Sequence, residues 1–142
     1  MRTRVHLTWA AVFVIALVST GEALAAATRT SSIDSKLVGT WTHTVTRADV
    51  TREEATPSLV GSLCTLTVKS SGVAHIACPH TPGAVFTGKL IPTGTNRIQI
   101  LFADDYPNTY RWALAGRKLT LTKLKDPTSD RAATMAGVWT RR

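Results

Sequence analysis

Eight short segments of strand character occupy the sequence from residue 39 to its last residue. They are rich in Thr, Val and Ile, several alternate apolar with polar side chains, and turn-forming residues separate most of them. This pattern is typical of an all-β barrel or sandwich, because alternation places one face of each strand against a core. The segments are 39–45, 63–69, 73–78, 84–91, 97–102, 109–115, 118–124 and 138–142.

The second and third segments form a hairpin whose register follows from the sequence. The loop Ser-Ser-Gly separates them, with Gly where a three-residue loop needs a left-handed backbone. If Lys69 pairs with Val73, Cys64 of the second segment lies opposite Cys78 of the third segment. A two-residue loop would instead set Cys64 against Ala77. The face that holds both cysteines is wholly apolar in the first register, so we predict a Cys64–Cys78 disulfide on the core side. Its other members are Leu66, Val68, Ala74 and Ile76.

Residues 1–25 have the pattern of an export signal. A basic start precedes an uncharged, mainly apolar run at 7–18, and Ala-Leu-Ala at the end fits the cleavage pattern. The run is too short to cross a membrane as a helix, so we expect no stable span after cleavage. We predict a secreted, periplasmic or cell-envelope protein with a flexible arm at 26–36 and one barrel domain at 37–142. Export also favours a disulfide between the two cysteines.

The chain is basic, with 17 Lys and Arg against 9 Asp and Glu and a formal net charge of +8. A positive excess favours contact with anionic surfaces. The basic residues are nevertheless scattered, with no run of five or more, which indicates a solvated cationic surface. Because the chain is exported, we expect no nucleic-acid partner.

A helix signal follows the first strand. Thr46 and Asp49 form the capping-box pattern, a hydroxyl at the cap and a carboxylate three residues on, and helix formers continue toward Pro57. The predicted fold therefore includes one short helix after the first strand. A second helical turn is compatible with 130–137, which begins with Asp and ends with Gly.

The start and the end of the domain carry a further pattern. A Gly-x-Trp on the first strand, with a basic residue on the last, resembles the lipocalin-like (calycin) barrels. The resemblance implies an eight-stranded antiparallel up-and-down barrel in which Trp41 plugs one end and Arg141 packs across the indole, with Arg142 as second choice. The stretches "LVGTWTHTVTRADV" and "YRWALAGRKLTLTKLKD…RAATMAGVWTRR" are similar to small secreted bacterial lipocalin-like proteins of largely undefined function. Related tails often have a Cys soon after the Asp at position 126, which this chain lacks.

The phrase Gly-x-Trp-Thr occurs at 39–42 and again at 137–140. In a closed up-and-down barrel the first and last strands run antiparallel beside each other. We therefore predict that the two phrases mark the seam where the barrel closes, with their glycines at opposite ends of it.

A second resemblance concerns the disulfide hairpin and the polar arm. They are similar to features of the bacterial periplasmic inhibitors of secreted metalloproteases, which are small eight-stranded barrels with a flexible N-terminal arm. That resemblance implies an alternative function, a protein-binding module that inhibits a secreted protease through 26–36.

The sequence lacks the common catalytic patterns, including the Gly-x-Ser-x-Gly elbow, the phosphate-binding loop and His-Glu-x-x-His. Asp104 and Asp105 are neighbours in a stretch that predicts a turn. His75 should face away from the core, and His80 lies in a loop. We expect no enzymatic activity, no cofactor and no metal ion.

The strongest functional hypothesis concerns side chains that alternation aims into the barrel. A barrel of this size either fills its interior or keeps room for one small ligand, and the sequence leaves both open. His43, buried beside Trp41, needs a partner such as the hydroxyl of Tyr110, or a ligand. We expect a non-enzymatic protein that binds a small, mainly apolar molecule in the barrel mouth. The candidate ligand-binding residues are Trp41, His43, Phe86, Tyr110 and Trp112.

Overall fold

The structure is a computed structural model that describes residues 32–79, 85–103 and 108–142. The predicted export signal, residues 26–31 of the predicted arm, His80 and the predicted turn at 104–105 lie outside the described residues.

The described residues form eight antiparallel strands that close into a barrel. Each strand pairs with its neighbours in sequence, and the last returns to the first, so the predicted all-β antiparallel barrel is confirmed. Closure leaves the sheet without free edges. The strands are β1 (Gly39–Thr44), β2 (Leu63–Val68), β3 (Val73–Ala77), β4 (Val85–Gly94), β5 (Arg97–Phe102), β6 (Thr109–Ala115), β7 (Lys118–Lys125) and β8 (Gly137–Arg141).

Two short α-helices occur within the described residues, whereas the predicted fold had one. The first, α1 (Arg47–Glu53), begins at the predicted capping box: the Thr46 side chain accepts from the backbone of Asp49, whose carboxylate accepts from the Thr46 backbone. The second, α2 (Ser129–Met135), overlaps the stretch that was compatible with a helical turn. Two 3-10 turns, Ser35–Leu37 and Pro57–Leu59, complete the elements.

The hairpin of β2 and β3 has the predicted register and disulfide. Leu66 pairs with Ile76 and Val68 with Ala74. Cys64 and Cys78 are bonded, and both are buried. Turn length and alternation are local properties, which is why the sequence sufficed to predict this hairpin.

The fourth strand is longer than predicted. It passes through Pro92 and ends at Gly94, with a register shift between these two residues. A bulge is one of the few places where a strand tolerates Pro, since the missing N–H leaves no gap in the ladder there.

The barrel has two different ends. At the helical end, α1 joins β1 to β2 and α2 joins β7 to β8. At the turn end, short turns join β2 to β3, β4 to β5 and β6 to β7, and residues 32–38 lead into β1. The interior between them is packed with large side chains that are less than 2 % exposed, among them Trp41, Trp139, Tyr110, Ile76, Ile100 and Leu119.

Trp41 lies toward the turn end. Its indole N–H donates to the carbonyl of Leu37 over 3.0 Å. The guanidinium of Arg141 lies 4.6 Å from the centre of the indole ring and donates to the carbonyls of Lys36 and Val38. Cation–π attraction and these two hydrogen bonds hold the end of β8 across the start of β1.

Candidate functional site

The five candidate ligand-binding residues do not line one cavity. Trp41 lies beneath Arg141 at the turn end. The Tyr110 hydroxyl donates to the carboxylate of Asp126, and Phe86 is half-buried with its ring edge-on to Phe102. Trp112 and His43 line two separate grooves at opposite ends of the barrel.

His43 closes a gap in the seam between β1 and β8. These strands pair at two positions, Trp41 with Arg141 and Thr42 with Thr140, whereas β1 pairs with β2 at six. Beyond this point the His43 imidazole takes the place of a backbone partner, with its Nδ1 3.0 Å from the carbonyl oxygen of Val138. The Tyr110 hydroxyl, one candidate partner for His43, instead donates to Asp126, and the partner of His43 is the backbone carbonyl of Val138.

The neighbours of the imidazole leave no room for a side chain at the start of β8. A Cβ added to Gly137 would come within 2.6 Å of Cε1 of His43. The ring also lies 5.2 Å from that of Trp139, in a tilted arrangement. Glycine at 137 is thus required by a residue that lies far away in sequence.

The Val138 contact sets the proton on His43. A carbonyl oxygen only accepts, so Nδ1 carries the hydrogen and Nε2 of the neutral ring presents a lone pair. Burial lowers the pKa of His43, an effect that the Val138 hydrogen bond and the Asp49 carboxylate oppose but do not cancel. His43 is 6 % exposed, and within the described residues its Nε2 has no hydrogen-bond partner. The nearest charged atom, Oδ2 of Asp49, is 3.6 Å away.

His43 lines a groove of about 800 Å³ between the seam, α1 and β7, here called the seam groove, and its Nε2 is buried at the wall of that groove. Two apolar side chains that line it are unusually exposed for their type, Leu63 at 48 % and Val138 at 50 %. Threonines of β1, β7 and β8 and four charged residues also line it. The groove therefore combines an apolar rim with one buried acceptor.

The charged residues of the seam groove are paired with one another. Arg52 donates to Asp49 at 3.0 Å and to Glu53 at 2.8 Å, and Lys123 pairs with the second oxygen of Glu53. Burial alone would raise the pKa of Asp49, but the hydrogen bonds from Thr46 and Arg52 lower it overall. The pKa of Glu53 is lowered in the same way by Lys123 and Arg52, against the effect of burial. With two carboxylates, two cations and a neutral imidazole, the groove has no net charge.

The second groove, of about 520 Å³, lies at the turn end. Trp112 lines it together with Ile33 and Leu37. Both belong to the segment before β1, and Ile33 is 9 % exposed. Within the described part of the predicted arm, residues 32–36, Ile33 is buried against the barrel and the other four residues are exposed.

Sequence reasoning missed Asp49, Arg52 and Gly137 as neighbours of His43, and Lys123 as the partner of Glu53. The capping box did locate Asp49, but as a helix cap rather than as the charge closest to an imidazole. Among the described residues, no group of three or more His, Cys, Asp and Glu is placed to hold a metal ion. No helix in that part of the chain is long and apolar enough to cross a membrane.

Fold and groove together define a closed antiparallel barrel with a small-molecule-sized groove at its closing seam. No protein-family model, curated protein or solved structure matches the chain.

Proposed function

We propose that this chain is an exported, non-enzymatic barrel of the lipocalin-like type that binds a small, mainly apolar molecule carrying one hydrogen-bond donor. The site is the seam groove rather than the barrel mouth. The observation that carries the proposal is the buried Nε2 of His43, an acceptor without a hydrogen-bond partner among the described residues, on a side chain that lines the groove. The Cys64–Cys78 disulfide supports export, since such bonds persist in oxidising compartments.

The ligand class follows from the unpartnered acceptor and the exposed apolar side chains of the groove. A buried acceptor without a donor costs about 1–3 kcal/mol, which a hydroxyl or amide N–H of the ligand would recover. The exposed faces of Leu63 and Val138 would be covered by the apolar body of the same molecule. Because the ion pairs of the groove already neutralise each other, a neutral ligand fits better than an ion.

Binding rather than catalysis is proposed because of the same ion pairs. Asp49 is held by Thr46 and Arg52, and Glu53 by Arg52 and Lys123, so neither carboxylate is free to exchange a proton with His43. Trp41, Phe86, Tyr110 and Trp112 then serve the packing of the barrel and its two ends.

The test uses a pair of probes with the same apolar body, 1-naphthol and naphthalene, titrated calorimetrically into the mature chain. We expect 1-naphthol to bind about tenfold more tightly, the worth of one hydrogen bond of about 1.4 kcal/mol. His43→Phe keeps an aromatic ring but removes the acceptor, and should abolish the preference. Trp112→Phe, in the other groove, is the matched control and should preserve it. Equal binding of the two probes, or loss of the preference in the Trp112 variant alone, would contradict the proposal.

The second candidate is an inhibitor of a secreted protease that acts through the N-terminal arm. Since Ile33 anchors the arm to the barrel, such an inhibitor would insert residues 26–31, which precede that anchor. Deleting these six residues should then abolish inhibition of a co-secreted protease and leave naphthol binding unchanged.

A further inference from the structure

The charges of the described residues are divided unequally between the two ends of the barrel. At the helical end the helices and the adjoining ends of the strands carry five acidic and five basic side chains, which balance. The acidic ones are Asp49, Glu53, Glu54, Asp126 and Asp130. The basic ones are Arg47, Arg52, Lys123, Lys125 and Arg131.

The rest of the described chain carries nine basic side chains and one acidic one, Asp34. Lys69 precedes the turn between β2 and β3, Arg97 follows the turn between β4 and β5, and Arg117 and Lys118 lie at the turn between β6 and β7. All three turns of the turn end are thus basic.

The remaining cations complete the ring. Lys36 lies in the 3-10 turn before β1, and Arg141 and Arg142 end the chain beside it. Lys89 lies in the middle of β4, where it pairs with Val73 at the start of β3 and with Leu101 near the end of β5. The cations at the three turns, before β1 and at the end of β8 therefore surround the turn end instead of following one track across it.

These cations have no carboxylate partners among the described residues. In the described part of the chain none of the nine forms an ion pair, and the ion pairs present all lie at the helical end. Arg97 stands directly opposite Arg111 across β5 and β6, a like-charged pair that opposes pairing of the strands. The guanidinium of Arg117 donates to the backbone carbonyl of Arg141 rather than to a carboxylate.

We propose that the turn end is a docking surface for an anionic membrane, on which the barrel stands end-on by contact with acidic phospholipid headgroups. A ring of cations fits a flat anionic surface, whereas a linear polyanion would need a continuous track. None of the large apolar side chains that are exposed in the described residues lies on the three turns, so the contact is adsorption without insertion. The seam groove, beside α1, stays open to solvent in this orientation.

The mature chain is mixed with sedimenting vesicles of phosphatidylcholine alone or with roughly a third of phosphatidylglycerol, and the bound fraction is measured. We expect binding to the acidic vesicles alone, weakening as salt is added, because each cation near such a surface contributes about 1 kcal/mol and is screened by ions. Arg117→Glu with Lys118→Glu should reduce the partition coefficient at least tenfold.

The matched control reverses two cations at the other end, Arg47→Glu with Lys125→Glu, which changes the net charge equally. It should leave the partition coefficient nearly unchanged, and an equal loss in both double variants would overturn the proposal by showing an effect of net charge alone. Lys69→Glu with Arg97→Glu alters two other turns of the ring and repeats the test if the first variant does not fold. Tighter binding to soluble polyphosphate than to vesicles of equal phosphate content would assign the surface to a linear polyanion and also overturn it.

Discussion

The repeated Gly-x-Trp-Thr phrase has a residue-scale explanation. Trp41 donates to the carbonyl of Leu37 and Trp139 to that of Met135, so each indole bonds the carbonyl four residues earlier. In both cases that carbonyl is the last residue of a helical turn, which leads into one of the two closing strands. The glycines that begin the two phrases differ in their surroundings. At Gly137 the absence of a side chain makes room for the His43 ring.

Gly137→Ala tests that contact. The new methyl group would overlap the imidazole, so we expect a loss of about 1–3 kcal/mol in the free energy of unfolding, measured by urea denaturation. In the His43→Ala background the ring is gone, so the same substitution should cost less and keep only the backbone cost of a side chain at the φ of +158° of Gly137. Additive effects of the two substitutions would show that the clash is not with His43.

At the scale of elements, two pairs of neighbouring strands share few paired positions within the described residues, and a side chain adds hydrogen bonds beside each. β5 and β6 pair at two positions, as β1 and β8 do. Beside the β5–β6 pairs, the buried amide of Asn108 accepts from the N–H of Ile100 at 2.9 Å and donates to its carbonyl. The Asn108 amide thus makes both hydrogen bonds that a paired strand residue would make to Ile100. Between β1 and β8, the His43 imidazole makes one such bond, to the carbonyl of Val138.

Asn108→Ala removes both bonds and leaves the backbone groups of Ile100 buried without them. Each such group costs about 1–3 kcal/mol, so we expect the free energy of unfolding to fall by at least about 2 kcal/mol. Thr122→Ala, at an exposed position of β7, is the control and should change it by less than about 0.5 kcal/mol. A loss no larger than that of the control would mean that water replaces the amide.

At the scale of the whole molecule, we expect the free energy of unfolding to decrease at both low and high pH, because ionisable groups have different pKa values in the folded and unfolded states. Burial lowers the pKa of His43 below its ordinary 6.5, and hydrogen bonds and ion pairs lower those of Asp49 and Glu53 below 3.8 and 4.5 against the effect of burial. The folded state then binds fewer protons than the unfolded state, so stability falls with decreasing pH. Burial, with the bond to Asp126, raises the pKa of Tyr110, so stability also falls above its ordinary value of 10.0.

Urea midpoints measured between pH 8 and pH 3 should therefore fall in two stages, first below pH 6.5 and again below about pH 4. His43→Phe should remove the first stage and keep the second. Parallel profiles of the two proteins between pH 8 and pH 5 would contradict the assignment of that stage to His43.

Prediction from sequence was most complete where structure is local. The β2–β3 register and the Cys64–Cys78 bond followed from loop length and alternation, and the cap of α1 from a four-residue pattern. The course of β4 past Pro92 was missed, because a bulge depends on the strand that lies beside it. The contacts of His43 were missed for a related reason. Alternation indicated that this side chain points inward, but it did not indicate which backbone carbonyl the imidazole would contact.

By itself, the sequence determined the antiparallel all-β character, one hairpin with its disulfide, and the start of the first helix. These depend on side-chain period, turn length and capping, which act over a few residues. The tertiary structure alone decided that His43 meets Val138 and Gly137, that Lys123 meets Glu53, and that the cations at the turn end have no carboxylate partners among the described residues. Those contacts join residues from distant strands, and only closure of the barrel sets which strands are neighbours and at what height their side chains meet.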